Sequence, residues 1–209
     1  MIYHLAVDIG ASSGRHIIGY VENGKIVLKE IYRFENNIKK ENGSIVWDIE
    51  HLCEEVINGI AKAKEIDLVP QTVAIDTWGV YYVLIDENSK EILPAVSYRD
   101  PRTTNIQSEI EDKLSEKKIF ELTGIQRNDF NTIYQLYCDK KSGKLDKAKY
   151  ALMMPAYLSY KLTGVAKNEY TNASTTAMVN SKTKDWDKEI LEFLGIDKSL
   201  FVNSAHHHS

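Results

Sequence analysis

Apolar and polar residues alternate over 3–9, 15–21 and 26–34, which predicts three strands. Asn23-Gly24 between the second and third is the pair that closes a two-residue hairpin, so the chain opens as a meander. From Asp48, a fitting N-cap, the period changes: Ile49, Leu52, Cys53, Val56, Ile60 and Ala63 recur at helical spacing up to about Ile66. Short apolar runs at 72–75 and 80–85 then predict two buried strands, with Asp86-Glu-Asn-Ser89 as a turn. Strand, helix, strand predicts a parallel pair joined by a right-handed crossover. Beyond Ala95-Val-Ser-Tyr98 the pattern turns helical and charged, with helices over 103–114, 116–123, 133–141, 155–162 and 187–194. Gly124, Gly164 and Gly195 fall where C-terminal caps belong.

Three antiparallel strands ahead of a parallel unit follow the order of ribonuclease H-like, actin-like ATPase domains. The fold class expected is therefore α/β, a mixed sheet followed by a helix-rich second half. Without a Pro/Gly/Ser linker, residues 1–201 are expected to form one continuous domain. The end, Ser204-Ala-His-His-His-Ser209, reads as part of a tag, which sets 202–209 aside and makes its three histidines weak grounds for a metal site.

Composition narrows the function classes. Hydrophobic residues at 43% and aromatics at 10% mark a folded globule, and the net charge of -4 offers no bulk basic field for nucleic acid. No apolar segment approaches the roughly 18 residues of a membrane span. Cys53 and Cys138 lie far apart without metal-ligand spacing and without a secretory leader, which points to reduced thiols in the cytoplasm.

The chemistry concentrates in a few stretches. In Leu5-Ala-Val-Asp-Ile-Gly-Ala-Ser-Ser-Gly-Arg15 an apolar strand delivers Asp8 to a small-residue turn carrying Arg15. Gly10 and Gly14 are expected to take backbone angles other residues avoid, and Ser12 and Ser13 to offer hydroxyls beside exposed amides, a phosphate-sized cradle. An extended segment follows the turn, unlike the helix that follows a Walker or dinucleotide loop. An ordinary hairpin is the plainer reading of this motif alone. Ile75-Asp-Thr-Trp-Gly-Val80 puts an acid, a hydroxyl and an indole at a strand end, where α/β sheets bind ligands; a β-bulge with a buried Trp is its plainer reading. Ser97-Tyr-Arg-Asp-Pro-Arg-Thr103 offers a ring and charged partners for a polyhydroxylated substrate, or else a turn with an Asp100–Arg102 ion pair. Asn131-Thr-Ile-Tyr-Gln-Leu136 and Glu169-Tyr-Thr-Asn-Ala-Ser-Thr-Thr176 are polar clusters that capping alone could explain.

Together, these stretches, with Trp47-Asp48 and Tyr160-Lys-Leu-Thr-Gly164, resemble the FGGY carbohydrate kinases over residues 3–201, in the family's order, and most closely its members acting on L-rhamnulose. The resemblance implies two actin-like domains that transfer the ATP γ-phosphate to the sugar's 1-hydroxyl with Mg²⁺. It implies that Ala11, Ser12, Ser13, Gly14 and Arg15 face the ATP phosphates and that Asp8 holds water-bound Mg²⁺. It further implies that Thr77, Trp78, Gly79 and Val80 line the sugar site, with Tyr98 and Asp100 near its wall. Ala156, after Pro155, stands where close relatives carry an acid. The family is about twice this long, so the C-terminal FGGY domain, the general base and the adenine pocket are expected to be absent from this chain, leaving it inactive alone. Kinases of fuculose, xylulose or glycerol, and a non-catalytic sugar- or phosphate-binding module, are the alternatives.

Overall fold

The computed structural model describes residues 1–202 and 204–205. Strands β1 (His4–Ile9), β2 (Ser13–Glu22) and β3 (Lys25–Glu35) form the expected meander. Asn23 and Gly24 have φ of 51° and 73°, the left-handed pair that a tight hairpin turn needs. A second hairpin, β4 (Ile38–Glu41) and β5 (Ser44–Trp47), precedes helix α1 (Ile49–Glu65), which Asp48 caps by accepting from His51 N. Strand β6 (Thr72–Asp76) then pairs with β1 in parallel, giving the order β3-β2-β1-β6.

The chain forms two compact units, residues 1–39 with 47–78, and residues 40–46 with 79 onward. No linker marks any of the three crossings, at 39/40, 46/47 and 78/79, which is why the sequence leads to an expectation of one continuous domain.

In the first unit, Leu5, Val7, Ile9 and Ile18 turn to the buried face of the sheet, and α1 contributes Leu52, Val56 and Ala63 to the same core. Gly59 lets α1 approach, because a Cβ there would lie 2.3 Å from the His16 ring. The other face carries exposed His4, Ala6 and Arg15. This corrects one expectation: Thr72, Val73 and Ala74 of β6 are exposed, not buried. Among the described residues β6 has one neighbouring strand, and burial on both faces needs layers that do not cover it here.

In the second unit, β7 (Tyr82–Ile85) is fully buried and pairs antiparallel with a strand the periodicity hides, β8 (Tyr150–Met153). Between them lie α2 (Ile106–Glu111), α3 (Glu116–Thr123) and α4 (Thr132–Lys141). The helix expected over 103–114 is shorter because Asn105, at φ 69°, separates a 3-10 turn, Pro101–Thr103, from α2. Helix α5 (Met154–Thr163), the short strand β9 (Asn168–Glu169), α6 (Tyr170–Ser174) and α7 (Lys188–Leu194) follow. Gly124, Gly164 and Gly195 occupy the left-handed C-caps of α3, α5 and α7. Buried Asn168 ties the layers, accepting from Met153 N at 2.8 Å and donating to Ala151 O at 3.0 Å and Phe201 O at 2.6 Å. Of the expected tag, only Val202 and strand β10 (Ser204–Ala205), parallel to β9, are among the described residues; the rest lies outside them. Among the described residues no helix is long and apolar enough to cross a membrane.

Candidate functional site

In the first unit the turn between β1 and β2 is held by its own backbone and by one buried side chain. Gly10 N donates to Ser13 O at 2.8 Å, Asn36 N donates to Ser12 O at 3.0 Å, and Asn36 Nδ2 donates to Gly10 O at 2.8 Å. Ser12 and Arg15 are exposed, Ala11 and Ser13 half-buried, and Gly14 is buried. Neither Gly10 nor Gly14 has a positive φ, which corrects the conformational role expected of them. Gly14 is needed for space, since a Cβ there would lie 2.1 Å from the Phe34 ring.

Asp8 and Arg15 face each other across the β1–β2 ladder. Arg15 donates to Asp8 Oδ2 through Nε at 2.9 Å and Nη2 at 2.7 Å. The side chains are 44% and 45% exposed, so the pair adds about 0–1 kcal/mol of stability and stays open to other partners. In the parallel register with β6, Asp8 stands beside Asp76. Partners in such a ladder share a face, with strands about 4.8 Å apart. The sequence marks Asp76 as an acid at a ligand-binding strand end but gives it no part in holding the cation, although each of two apolar strands ends in an aspartate. Two hard carboxylates at neighbouring strand ends suit a divalent cation that keeps several of its waters. Among the described residues no group of three or more His, Cys, Asp or Glu forms a fuller cage. Farther along, Thr77 Oγ1 donates to Trp78 O at 3.1 Å, and the Trp78 ring packs on Trp47 with centroids 4.3 Å apart.

The remaining expected residues belong to the second unit. Gly79 is not left-handed; its neighbour Val80 is, at φ 61°. Val80 N donates to Thr175 Oγ1 at 2.9 Å, and Val80 O accepts from Thr132 Oγ1 at 2.7 Å and Gln135 Nε2 at 3.0 Å. Half-buried Tyr98 packs edge-on against Phe130, with the Arg99 guanidinium 5.7 Å from its ring centre. Asp100 is buried and accepts from Ile45 N at 2.7 Å and Arg102 N at 2.9 Å, so each carboxylate oxygen receives a backbone amide. The Asp100–Arg102 ion pair does not form. The Arg102 guanidinium instead meets buried Asp139 at 2.5 Å, and Asp139 also accepts from the Tyr82 hydroxyl. Burial, with Asp139 alongside, raises the Tyr82 phenol far above its usual range and keeps it a donor.

Over residues 3–206 the sequence matches the family described as "FGGY family of carbohydrate kinases, N-terminal domain". Relatives named Rhamnulokinase from Halalkalibacterium halodurans and Bacillus subtilis are 49% and 43% identical over 96% and 97% of this chain. The chain spans 43% and 41% of their lengths. Among solved structures, ligand-bound xylulose kinase from Lactobacillus acidophilus matches with a TM-score of 0.87 at 20% identity, over 99% of this chain and 42% of that one. Glycerol kinase from Plasmodium falciparum with ADP matches at 0.81 and 18% identity, over 100% of this chain and 44% of that one. At such identity the likeness concerns the fold alone, and it is the actin-like α/β fold expected from the order of elements.

Proposed function

Because the chain belongs to the FGGY family of carbohydrate kinases, we propose that it supplies the phosphate-facing turn and the sugar-facing turn of an ATP-dependent kinase that converts L-rhamnulose to L-rhamnulose 1-phosphate. The observation that carries the choice of sugar is the 49% identity to a rhamnulokinase over 96% of this chain. The 20% identity to the xylulose kinase speaks only to fold.

In this reading the backbone and hydroxyls of Ala11, Ser12, Ser13 and Gly14 cradle phosphate oxygens. Arg15 exchanges part of its contact with Asp8 for phosphate. Asp8, with Asp76 beside it, would hold hydrated Mg²⁺, which would supply charge neutralisation for the phosphates. Of the residues expected at the sugar, the second unit supplies Gly79, Val80 and Tyr98, and Asp100 acts by fixing the backbone at Ile45 and Arg102; Thr77 and Trp78 belong to the first unit. The sugar's 1-hydroxyl oxygen bonds to the γ-phosphorus as the bond to the ADP oxygen breaks. Catalysis of this kind is mostly positioning and charge neutralisation. The base that takes the hydroxyl proton is not assigned to a residue of this chain. We place the reaction in the cytoplasm, where ATP is supplied.

The test is sugar-dependent ADP release by the complete polypeptide with L-rhamnulose, L-fuculose, xylulose and glycerol. L-Rhamnulose should give the highest kcat/KM, by more than about tenfold, which is about 1.4 kcal/mol of transition-state discrimination. A preference for another of the four would overturn the assignment, and turnover of none would favour a non-catalytic binding module.

A further inference from the structure

The two polar stretches that capping alone could explain, 131–136 and 169–176, converge on one residue. Val80 is β-branched and left-handed at φ 61°, a combination that L-amino acids disfavour and that persists only where surroundings impose it. Both of its backbone polar groups are held by side chains: Thr175 accepts from its N–H, while Thr132 and Gln135 donate to its carbonyl. The directions are fixed as well. Thr175 Oγ1 donates its own proton to Asn172 O at 2.7 Å, so toward Val80 N it can only accept. Gln135 is 0% exposed, and its Nε2 also donates to Phe130 O at 2.7 Å, which commits both amide protons. Its Oε1 is buried without a partner among the described residues, a cost its two donor bonds must offset.

We infer that Thr132, Gln135 and Thr175 are positioning residues for the sugar: they hold Val80 left-handed and thereby set the surface that the Gly79–Val80 turn offers to the substrate. This rests on the proposed sugar-facing role of that turn. Val80 is the residue that would touch sugar, and the three clamp residues act through it.

The experiment combines a substitution with relief of the strain it exposes. Thr175→Val keeps the shape and removes the acceptor; Thr175→Ser keeps the hydroxyl; Val80→Gly makes the left-handed turn free of steric cost. In the complete polypeptide, Thr175→Val should raise KM for L-rhamnulose about 5- to 30-fold, the factor corresponding to left-handed strain, with kcat within about twofold. Thr175→Ser should restore the parent KM to within about threefold, and on the Val80→Gly background the KM penalty of Thr175→Val should shrink below about threefold. An unchanged KM in Thr175→Val, with only its melting temperature lowered, would reduce the clamp to a brace and overturn the proposal. An equal KM penalty on both backgrounds would overturn it too, because Thr175 would then act other than through Val80. If the parent does not turn over L-rhamnulose, the functional reading fails, and the positioning role for sugar fails with it. The clamp itself would still be read from melting temperatures of the four combinations, where additive shifts would overturn it and coupled shifts would support it.

Discussion

The two turns proposed to face phosphate and sugar are built in opposite ways. At Gly10–Arg15 no residue is left-handed, and the turn is held by β-ladder pairing and by buried Asn36. The side chains it gathers are charged: Asp8, Arg15 and, beside them, Asp76. At Gly79–Val80 the backbone is strained, no strand pairing holds it, and three hydroxyl or amide side chains do. Its content is shape. Glycine means something different in each from what its presence suggests. Gly14 makes room for a ring, and Gly79 precedes the strained residue instead of being it.

Replacing each glycine by alanine sharpens that contrast. Gly14→Ala pushes a Cβ into the Phe34 ring at 2.1 Å, within the β2–β3 ladder, and should cost about 1–3 kcal/mol in thermal or denaturant unfolding. Gly79→Ala brings a Cβ nearest to the Thr175 side chain, at 3.0 Å, and should cost less than about 1 kcal/mol, because a few tenths of an ångström of movement relieve it. Equal costs would break the distinction between a turn packed by a ring and one braced by side chains.

A smaller effect should appear with pH in the first unit, and it should leave the second turn untouched. His16 is fully buried, donates Nε2–H to Val56 O at 3.2 Å, and has no partner on Nδ1 among the described residues. Tyr32 and Phe34 flank it, and Glu55 is the nearby carboxylate. Burial lowers its pKa from 6.5, with the Val56 bond and Glu55 opposing, so the folded state favours neutral imidazole. The sign follows: this contribution is full above about pH 6.5 and is lost as pH falls from there toward the lowered folded value. Thermal midpoints between pH 7.5 and 5 should fall for the parent more than for His16→Gln, and parallel curves would contradict the assignment.

What was legible in the sequence was local. Strands β1 to β3, the Asp48 cap, α1 and three glycine C-caps follow from patterns a few residues long. Strand β8 was not legible because Ala151-Leu-Met153 runs without a breaker into Met154 of α5, and one apolar run serves two elements. The exposure of β6 was not legible because its apolar residues read as buried whether or not a layer covers them. The site shows the same limit. Asp8 and its turn are contiguous and so stand out in the sequence; Arg102 pairs with Asp139 and not with Asp100, and Val80 is held from residues 132, 135 and 175. Those contacts depend on which helices pack together, and periodicity carries no record of that. Asp76 is the intermediate case: its place at a strand end is local and legible, but its position beside Asp8 depends on the parallel pairing of β1 with β6.

Asp8 is the sharpest point of test, because a charge there is needed by a phosphate-facing turn and not by an ordinary hairpin. Asp8→Asn keeps size and strand and loses an exposed pair with Arg15 worth about 0–1 kcal/mol, so folding should barely change. Removing one charge-stabilising group typically costs on the order of 10²–10³ in kcat. Measuring kcat for L-rhamnulose and the thermal midpoint on one preparation of the Asp8→Asn complete polypeptide should therefore show kcat down by that factor with the midpoint within a few degrees. A retained kcat with a lowered midpoint would make Asp8 a structural strand-end carboxylate and contradict the account.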